Sequence, residues 1–511
     1  MMKKTALLLI LFQTAFGHLK AQDTLWIRYD NRFQKNAVIN IADVDSIEVR
    51  NNQLRLYHGA EVKNQSMPVD KADAMFTDPG RYLLKPNTYA GTDYTNDKAT
   101  TGYNFAHSLE SEHFAVFWDV RFGDNPARIS IGSYTCNANT VLEVAEKCWD
   151  VYVGKLGFLK EGKSTTDDYK IQLYIPYQTE WRADASGTDG ASGGKTGLGH
   201  FNPWAATARG GHTIAHEVGH TFQYLVSADL GMNHGFNYGY GNDASGGNGW
   251  WESCADWQAY KIFPERQFTD GEYFEQYLPL CHLNLMHEDM RYENCFIQDY
   301  WCMKHGQDFI GRLWHESNKP EDPVQAYQRI CGINYNEFCM EQMEGVMRMA
   351  TWDIDGVRQA AANRIGQFKN YLKLADQATG TYQIDVDHCP QNFGFNICNM
   401  RAVAPGTTVK AHFKGIAGAD GYRKVQTAKA GWRYAFVARM SNGERLYGTV
   451  ESDAEGTAQL TIPEDKGNCL NLFFVVMGAP KSYWRHPWDD NATNDEQWPY
   501  QVSFEGTAPR F

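Results

Sequence analysis

Two imidazoles and a carboxylate fall within five residues in His216-Glu217-Val218-Gly219-His220. On a helix, positions i and i+4 share a face one turn apart, so both rings can reach one metal ion. Glu217 lies beside the pair, where a carboxylate can take a proton from a water that the metal holds. This H-E-x-x-H spacing is how a helix presents half of a zinc hydrolase site. The residues around it predict that helix. Ile214, Val218, Phe222 and Leu225 recur at intervals of four, four and three, an apolar stripe for a core.

A catalytic zinc needs a third protein ligand and one open position. Glu252 follows His220 by thirty-two residues, within Gly249-Trp250-Trp251-Glu252-Ser253-Cys254-Ala255-Asp256-Trp257-Gln258-Ala259-Tyr260. That stretch has no proline, begins after a glycine-rich loop and predicts a second helix. Glu252 and Asp256 are then i and i+4 on one face. Glu252 can bind a metal, and Asp256 can accept the spare ring N–H of a ligand histidine and fix its tautomer. A solvated acidic face is the plainer alternative, and Trp250, Trp251 and Trp257 fit it poorly. His234, in Gly231-Met232-Asn233-His234-Gly235, is the rival third ligand.

H-E-x-x-H followed by a separate helix with E-x-x-x-D resembles the gluzincin zinc metallopeptidases over Gly210 to Tyr260. The resemblance implies a Zn2+ cofactor held by His216, His220 and Glu252, with Glu217 as general base and Asp256 behind a ligand. It also implies an edge strand that pairs with substrate, and a downstream Tyr or His that stabilises the oxyanion. For the edge, the six-glycine stretch 187–199 and the Gly199-Phe201 segment after it are in the right place, or they form a plain surface loop. For the oxyanion, Tyr292 ranks ahead of His287, His305 and His315. Thr221-Phe222-Gln223 after His220 departs from the metzincin pattern, and the interval to Glu252 is longer than in the familiar gluzincins. The whole chain is also similar to secreted bacterial proteins that pair this motif with a C-terminal β domain.

Lys3 and Lys4, the eleven-residue apolar run Ala6 to Phe16 and Leu19-Lys20-Ala21 read as a signal peptide over 1–22, cleaved before Gln22 or Asp23. This predicts a secreted or periplasmic protein. Later apolar runs are too short to span a bilayer, so no membrane span is expected. The net charge of −13 drops by three to −16 once Lys3, Lys4 and Lys20 leave with the signal. Such an acidic chain is a poor partner for nucleic acid or anionic lipid. Eleven cysteines in an exported chain allow disulfides, with Cys136/Cys148, Cys331/Cys339 and Cys389/Cys398 as the close pairs.

At 511 residues the chain predicts a multi-domain α+β protein. The divisions read as a small N-terminal β domain over 23–100, a zincin-like catalytic domain over 101–377 and a C-terminal β-sandwich over 378–511, with a linker near Ala375 to Thr381. Thr140 to Leu156, Tyr273 to Met290, Cys295 to His305 and Phe309 to Trp314 read as helices. The seven glycines of 231–249 suit a loop that approaches a ligand or moves as a lid. After Thr379, Val409–Phe413, Arg433–Ala438 and Leu470–Val476 alternate as strands. Trp484, Trp488 and Trp498 either pack inward or offer a carbohydrate-contacting surface, and packing is the better reading.

Two functions of different class follow. The first is a secreted zinc peptidase acting on proteins or glycoproteins, with one zinc per chain. The second is a non-catalytic or glycan-binding surface protein whose zinc is structural or vestigial. The retention of every expected residue favours the first.

Overall fold

Alternating apolar and polar residues make Thr24–Tyr29 (β1) a half-buried strand, with Leu25 and Ile27 turned inward. In the computed structural model, which describes residues 24–40, 44, 46–51, 53–58, 61–62, 67–68, 72–76, 80–188, 194–239, 247–269 and 271–511, β1 pairs antiparallel with Ala37–Asn40 (β2) and Ala72–Phe76 (β7). Ser46–Arg50 (β3), Gln53–His58 (β4), Glu61–Val62 (β5) and Met67–Pro68 (β6) form a second small sheet around β4. The predicted signal segment lies outside the described residues. By its contacts the chain divides into two units, Met1–Trp149 with Leu159–Asp229 and Asp150–Phe158 with Leu230–Phe511. It is a multi-domain α+β protein.

The first unit centres on a five-stranded sheet. Its strands are Ser108–Glu110 (β8), Phe114–Trp118 (β9), Ile171–Ile175 (β10), Ala183–Gly187 (β11) and Gly197–Phe201 (β12), in the order β11-β12-β10-β9-β8. β9, β10 and β12 run parallel, and the edge strands β8 and β11 run antiparallel to their neighbours. Every residue of β9 and β10 is buried, the mark of a sheet covered on both faces. One face packs on Leu83, Tyr94, Tyr103 and Phe105 through Ala115, Phe117, Tyr174 and Leu198. The helices Ala138–Tyr152 (α1), Pro203–Thr207 (α2) and His212–Leu230 (α3) complete this unit.

Glycine sets how closely α3 lies on the sheet. A Cβ on Gly197 would stand 2.5 Å from the Thr221 Cβ, and one on Gly187 would enter the Tyr224 ring. Gly187 at the end of β11 and Gly197 in β12 thus become strand and helix contact, residues 189–193 lie outside the described residues, and β12 is interior. The free edge is β11. Of the 187–199 stretch and its Gly199–Phe201 end, only Gly187 lies on the edge strand; Gly197–Phe201 is β12, which β11 covers by pairing antiparallel along its length.

The second unit carries Gly247–Ile262 (α4), Gly271–Leu280 (α5), Phe296–His305 (α6), Phe309–Glu316 (α7), Pro323–Cys331 (α8) and Tyr335–Met349 (α9). The expected helix over 273–290 stops at Leu280. Beyond Pro279 the carbonyls of Cys281 and His282 accept N–H groups from Phe395 and Gln391 (2.7 and 2.8 Å), so tertiary bonds replace helical ones. Nine strands follow: Leu372–Asp376 (β13), Thr381–Ile384 (β14), Phe395–Met400 (β15), Thr408–Gly415 (β16), Trp432–Met440 (β17), Arg445–Tyr447 (β18), Glu455–Thr461 (β19), Cys469–Gly478 (β20) and Tyr500–Glu505 (β21). They make two antiparallel sheets, β13-β14-β21-β16-β19 and β15-β20-β17-β18. Their inner faces share one core that includes Ile384, Phe413, Phe436, Phe474, Trp498 and Val502. The stretch expected to be a linker, 375–381, is instead the turn of the β13–β14 hairpin, with Gly380 at φ +67. Among the described residues no helix is long and apolar enough to cross a membrane.

Candidate metal centre

The helix α3 begins immediately after a kink at Arg209 and Gly210, whose positive φ values of 50 and 64 turn the chain before His212. Ile214, Val218, Phe222 and Leu225 are buried as the stripe predicts. His216 and Glu217 are 7% and 6% exposed, and His220 is part-buried. The Nε2 atoms of His216 and His220 face each other at 3.1 Å. Two ligands on one tetrahedral ion, with bonds of about 2 Å, stand about 3.3 Å apart. The pair is therefore set as two nitrogens around one ion would be. Gln223 fixes the second ring: its Oε1 accepts the Nδ1–H of His220 at 2.9 Å, which leaves the Nε2 lone pair toward His216. Gln223 is a residue that sequence reasoning missed, though its i+3 spacing from His220 is the signal that could have found it.

In the second unit, α4 carries Glu252 and Asp256 one turn apart, 8% and 1% exposed. The acidic face is not solvated. Trp250 packs on Trp301 and Trp251 on Trp314, with ring centroids 5.8 and 5.0 Å apart. The Trp257 indole donates to Asp299 at 3.0 Å, so the flanks of the helix are rigid aromatic packing. Tyr238, in the loop before α4, places its hydroxyl 3.5 Å from Glu252 Oε1, and no sequence signal marked it.

Tyr292 lies in the same neighbourhood. Burial first, and then the charge of Glu252, push its hydroxyl above the ordinary tyrosine range, so it is a proton-bearing donor. Burial, with the charge of Asp256, pushes the adjacent Glu293 up to about 7. His234 is part-buried and forms a bridge with Asn318, its N–H donating to the Gly231 carbonyl at 3.0 Å.

The remaining oxyanion candidates have other partners. His305 Nε2 bonds the Tyr327 hydroxyl at 2.6 Å, and His315 Nε2 bonds the Phe158 carbonyl at 2.7 Å. His287 lies 3.2 Å from Asp495, in a group with His486. Buried histidines and carboxylates that could hold a metal ion thus occur in both units.

The expected close cysteine pairs do not form. Cys136, Cys331, Cys339, Cys389 and Cys398 are free thiols. Cys389 and Cys398 belong to the core between the two sheets, and burial pushes each thiol up to about 12. They act there as small apolar side chains. Trp488 and Trp498 are 2% and 0% exposed, and Trp484 is part-buried against Trp498, which is the packing role.

Comparison with curated proteins finds no match. A family model, described as a family of unknown function (DUF6055), matches residues 77–511 and so takes in both helices of the candidate centre; this chain belongs to that family.

Proposed function

We propose that this protein is a secreted or periplasmic zinc metallopeptidase of gluzincin type, acting on proteins or glycoproteins. The observation that carries this reading is the His216–His220 pair, with nitrogens 3.1 Å apart on a buried helix that also carries Glu217. Glu252 is assigned as third ligand and Asp256 as the acceptor behind it. When bound, zinc supplies Lewis acidity, which polarises a peptide carbonyl and makes a water more acidic. Glu217 takes that water's proton during attack and returns it to the leaving amine. Tyr292 or Tyr238, both beside Glu252, donates to the oxygen on which charge develops. An extended substrate adds to the exposed edge of β11, whose Gly187 rests on Tyr224 of α3. In this reading the first unit's sheet and α3 are the zincin-like core, and the nine C-terminal strands are a β-sandwich domain.

A glycan-binding protein built on Trp484, Trp488 and Trp498 loses its stacking surface, because two of the three rings are buried. The test is elemental analysis and peptide hydrolysis after brief chelation and zinc reloading. His216→Ala/His220→Ala should lose one equivalent of zinc together with all hydrolysis. Glu252→Ala should weaken zinc retention, and His234→Ala should not. Full zinc content in the double histidine variant would place the metal elsewhere. The reverse result for Glu252 and His234 would transfer the third ligand to His234.

A further inference from the structure

Within the second unit, the connection between β20 and β21 runs through residues 479–499 with little regular structure, yet His486, Trp488, Asp495 and Glu496 in it are all buried. An irregular segment of this length needs something to hold it. His486 and Asp495 meet His287, which caps the short turn Glu288–Met290. Asp495 Oδ2 lies 3.2 Å from His287 Nε2, and Asp495 Oδ1 lies 3.7 Å from His486 Nε2. Glu288 Oε2 is 3.3 Å from His486 Nε2 and 3.8 Å from His287 Nδ1. One ligand atom from each of His287, His486 and Asp495 lies within 4.8 Å of the others. Around a tetrahedral ion with bonds of about 2 Å the separation is about 3.3 Å, which these distances approach.

Asp495 Oδ1, which faces His486 Nε2, is buried without a hydrogen-bond partner, and that orphaned carboxylate oxygen is aimed into the group. Two carboxylates, Glu288 and Asp495, are buried beside the two imidazoles, and Arg423 donates its Nε–H to the backbone carbonyl of Asp495. Buried carboxylates are costly unless they are paired or coordinate a metal.

We propose that His287, His486 and Asp495 form a second zinc site, structural in role, with Glu288 as the carboxylate that closes or orients it. Two imidazoles with carboxylate oxygens suit zinc, and burial of every member leaves no open position for substrate. Without the ion, His287 Nδ1 accepts the Asp289 N–H at 3.1 Å, and its other ring proton faces Asp495. With zinc on Nε2 the ring proton moves to Nδ1 and turns to Glu288, at the expense of the Asp289 bond. The ion fastens the β20–β21 connection to the turn at Glu288. In the same connection Trp488 presses on Gly249 at the start of α4, where an added Cβ would stand 2.5 Å from the ring. The site thereby braces the helix that carries Glu252, a consequence that rests on the peptidase reading, whereas the site itself does not.

The experiment counts zinc in the full-length protein after chelation and reloading with Zn2+ alone, and follows thermal unfolding with and without chelator. Wild type should hold two equivalents. His216→Ala/His220→Ala should keep one and still lose several degrees of melting temperature to chelator. His486→Gln/Asp495→Asn should keep one, and the same pair combined with His216→Ala/His220→Ala should hold none and lose that chelator response. One equivalent in wild type and none in His216→Ala/His220→Ala overturns the second site and leaves the peptidase reading standing. One equivalent in both leaves the second site standing and removes the first. Should the His486/Asp495 variant not fold, the zinc count and chelator response of His216→Ala/His220→Ala decide alone.

Discussion

Two residues are proposed to orient ligand imidazoles, Gln223 and Asp256, and local geometry shows the first of them. Gln223 meets His220 on its own helix at 2.9 Å. Gln223→Ala should lower zinc affinity about 10- to 100-fold, read by competition with a chelator, and Asp256→Ala should do the same if it stands behind a ligand. The motif was legible because i and i+4 on a helix determine a meeting without any tertiary information. Gln223 is legible by the same rule, because i+3 on one helix sets it against His220. Tyr238 and the His287–His486–Asp495 group were not legible, because their partners are brought together only by the fold.

Asp322 gives a residue-scale test of burial. It caps α8 through a capping box with Gln325, accepts from the Tyr483 hydroxyl, and burial pushes it up to about 6 from an ordinary value of 3.8. A raised folded value means that its contribution is complete below about pH 4 and is lost as pH rises toward 6. The difference between the two plateaus is about 3 kcal/mol. Asp322→Asn keeps the cap oxygen and removes the charge. Its stability relative to wild type should rise between pH 4 and 6, followed by urea unfolding, and a constant difference would show that Asp322 does not titrate there.

At the scale of elements, the contact of α3 with the sheet depends on absent side chains. Gly197→Ala should destabilise the protein by about 1–3 kcal/mol through collision with Thr221, seen as a lower urea midpoint. An unchanged midpoint would mean that the helix shifts at no cost. The apolar period of α3 and the alternation of β16, β17 and β20 were readable because burial on one face imposes a period. Two elements were misread for physical reasons. The 273–290 stretch carries helical residues, but backbone bonds to Gln391 and Phe395 end its helix at Leu280. The 187–199 glycines suggest a loop or an edge, whereas Gly187 and Gly197 admit the Tyr224 and Thr221 side chains of the packed helix.

At the scale of the molecule, strand-rich composition after Thr379 correctly announced two antiparallel sheets, but a linker could not be told from a hairpin turn by composition. A fragment of residues 379–511 lacks β13, the partner of β14, and the carbonyls of Cys281 and His282 that hold Gln391 and Phe395. It should be insoluble or unfold without cooperativity; a soluble fragment with a sharp transition would show that the sheets are self-sufficient. Aromatic richness likewise turned out to be core, with Trp250, Trp257, Trp301, Trp314, Trp352, Trp488 and Trp498 fully buried.

The claim on which the rest depends is that Glu217 moves a proton during hydrolysis of a peptide bond. The most direct measurement is digestion of a mixed peptide and glycopeptide library by the zinc-loaded full chain, read by mass spectrometry beside Glu217→Gln. New peptide termini should appear with wild type and vanish with Glu217→Gln while its zinc content stays unchanged. Equal cleavage by both proteins, or none by a wild type that demonstrably holds zinc through His216 and His220, would contradict the account.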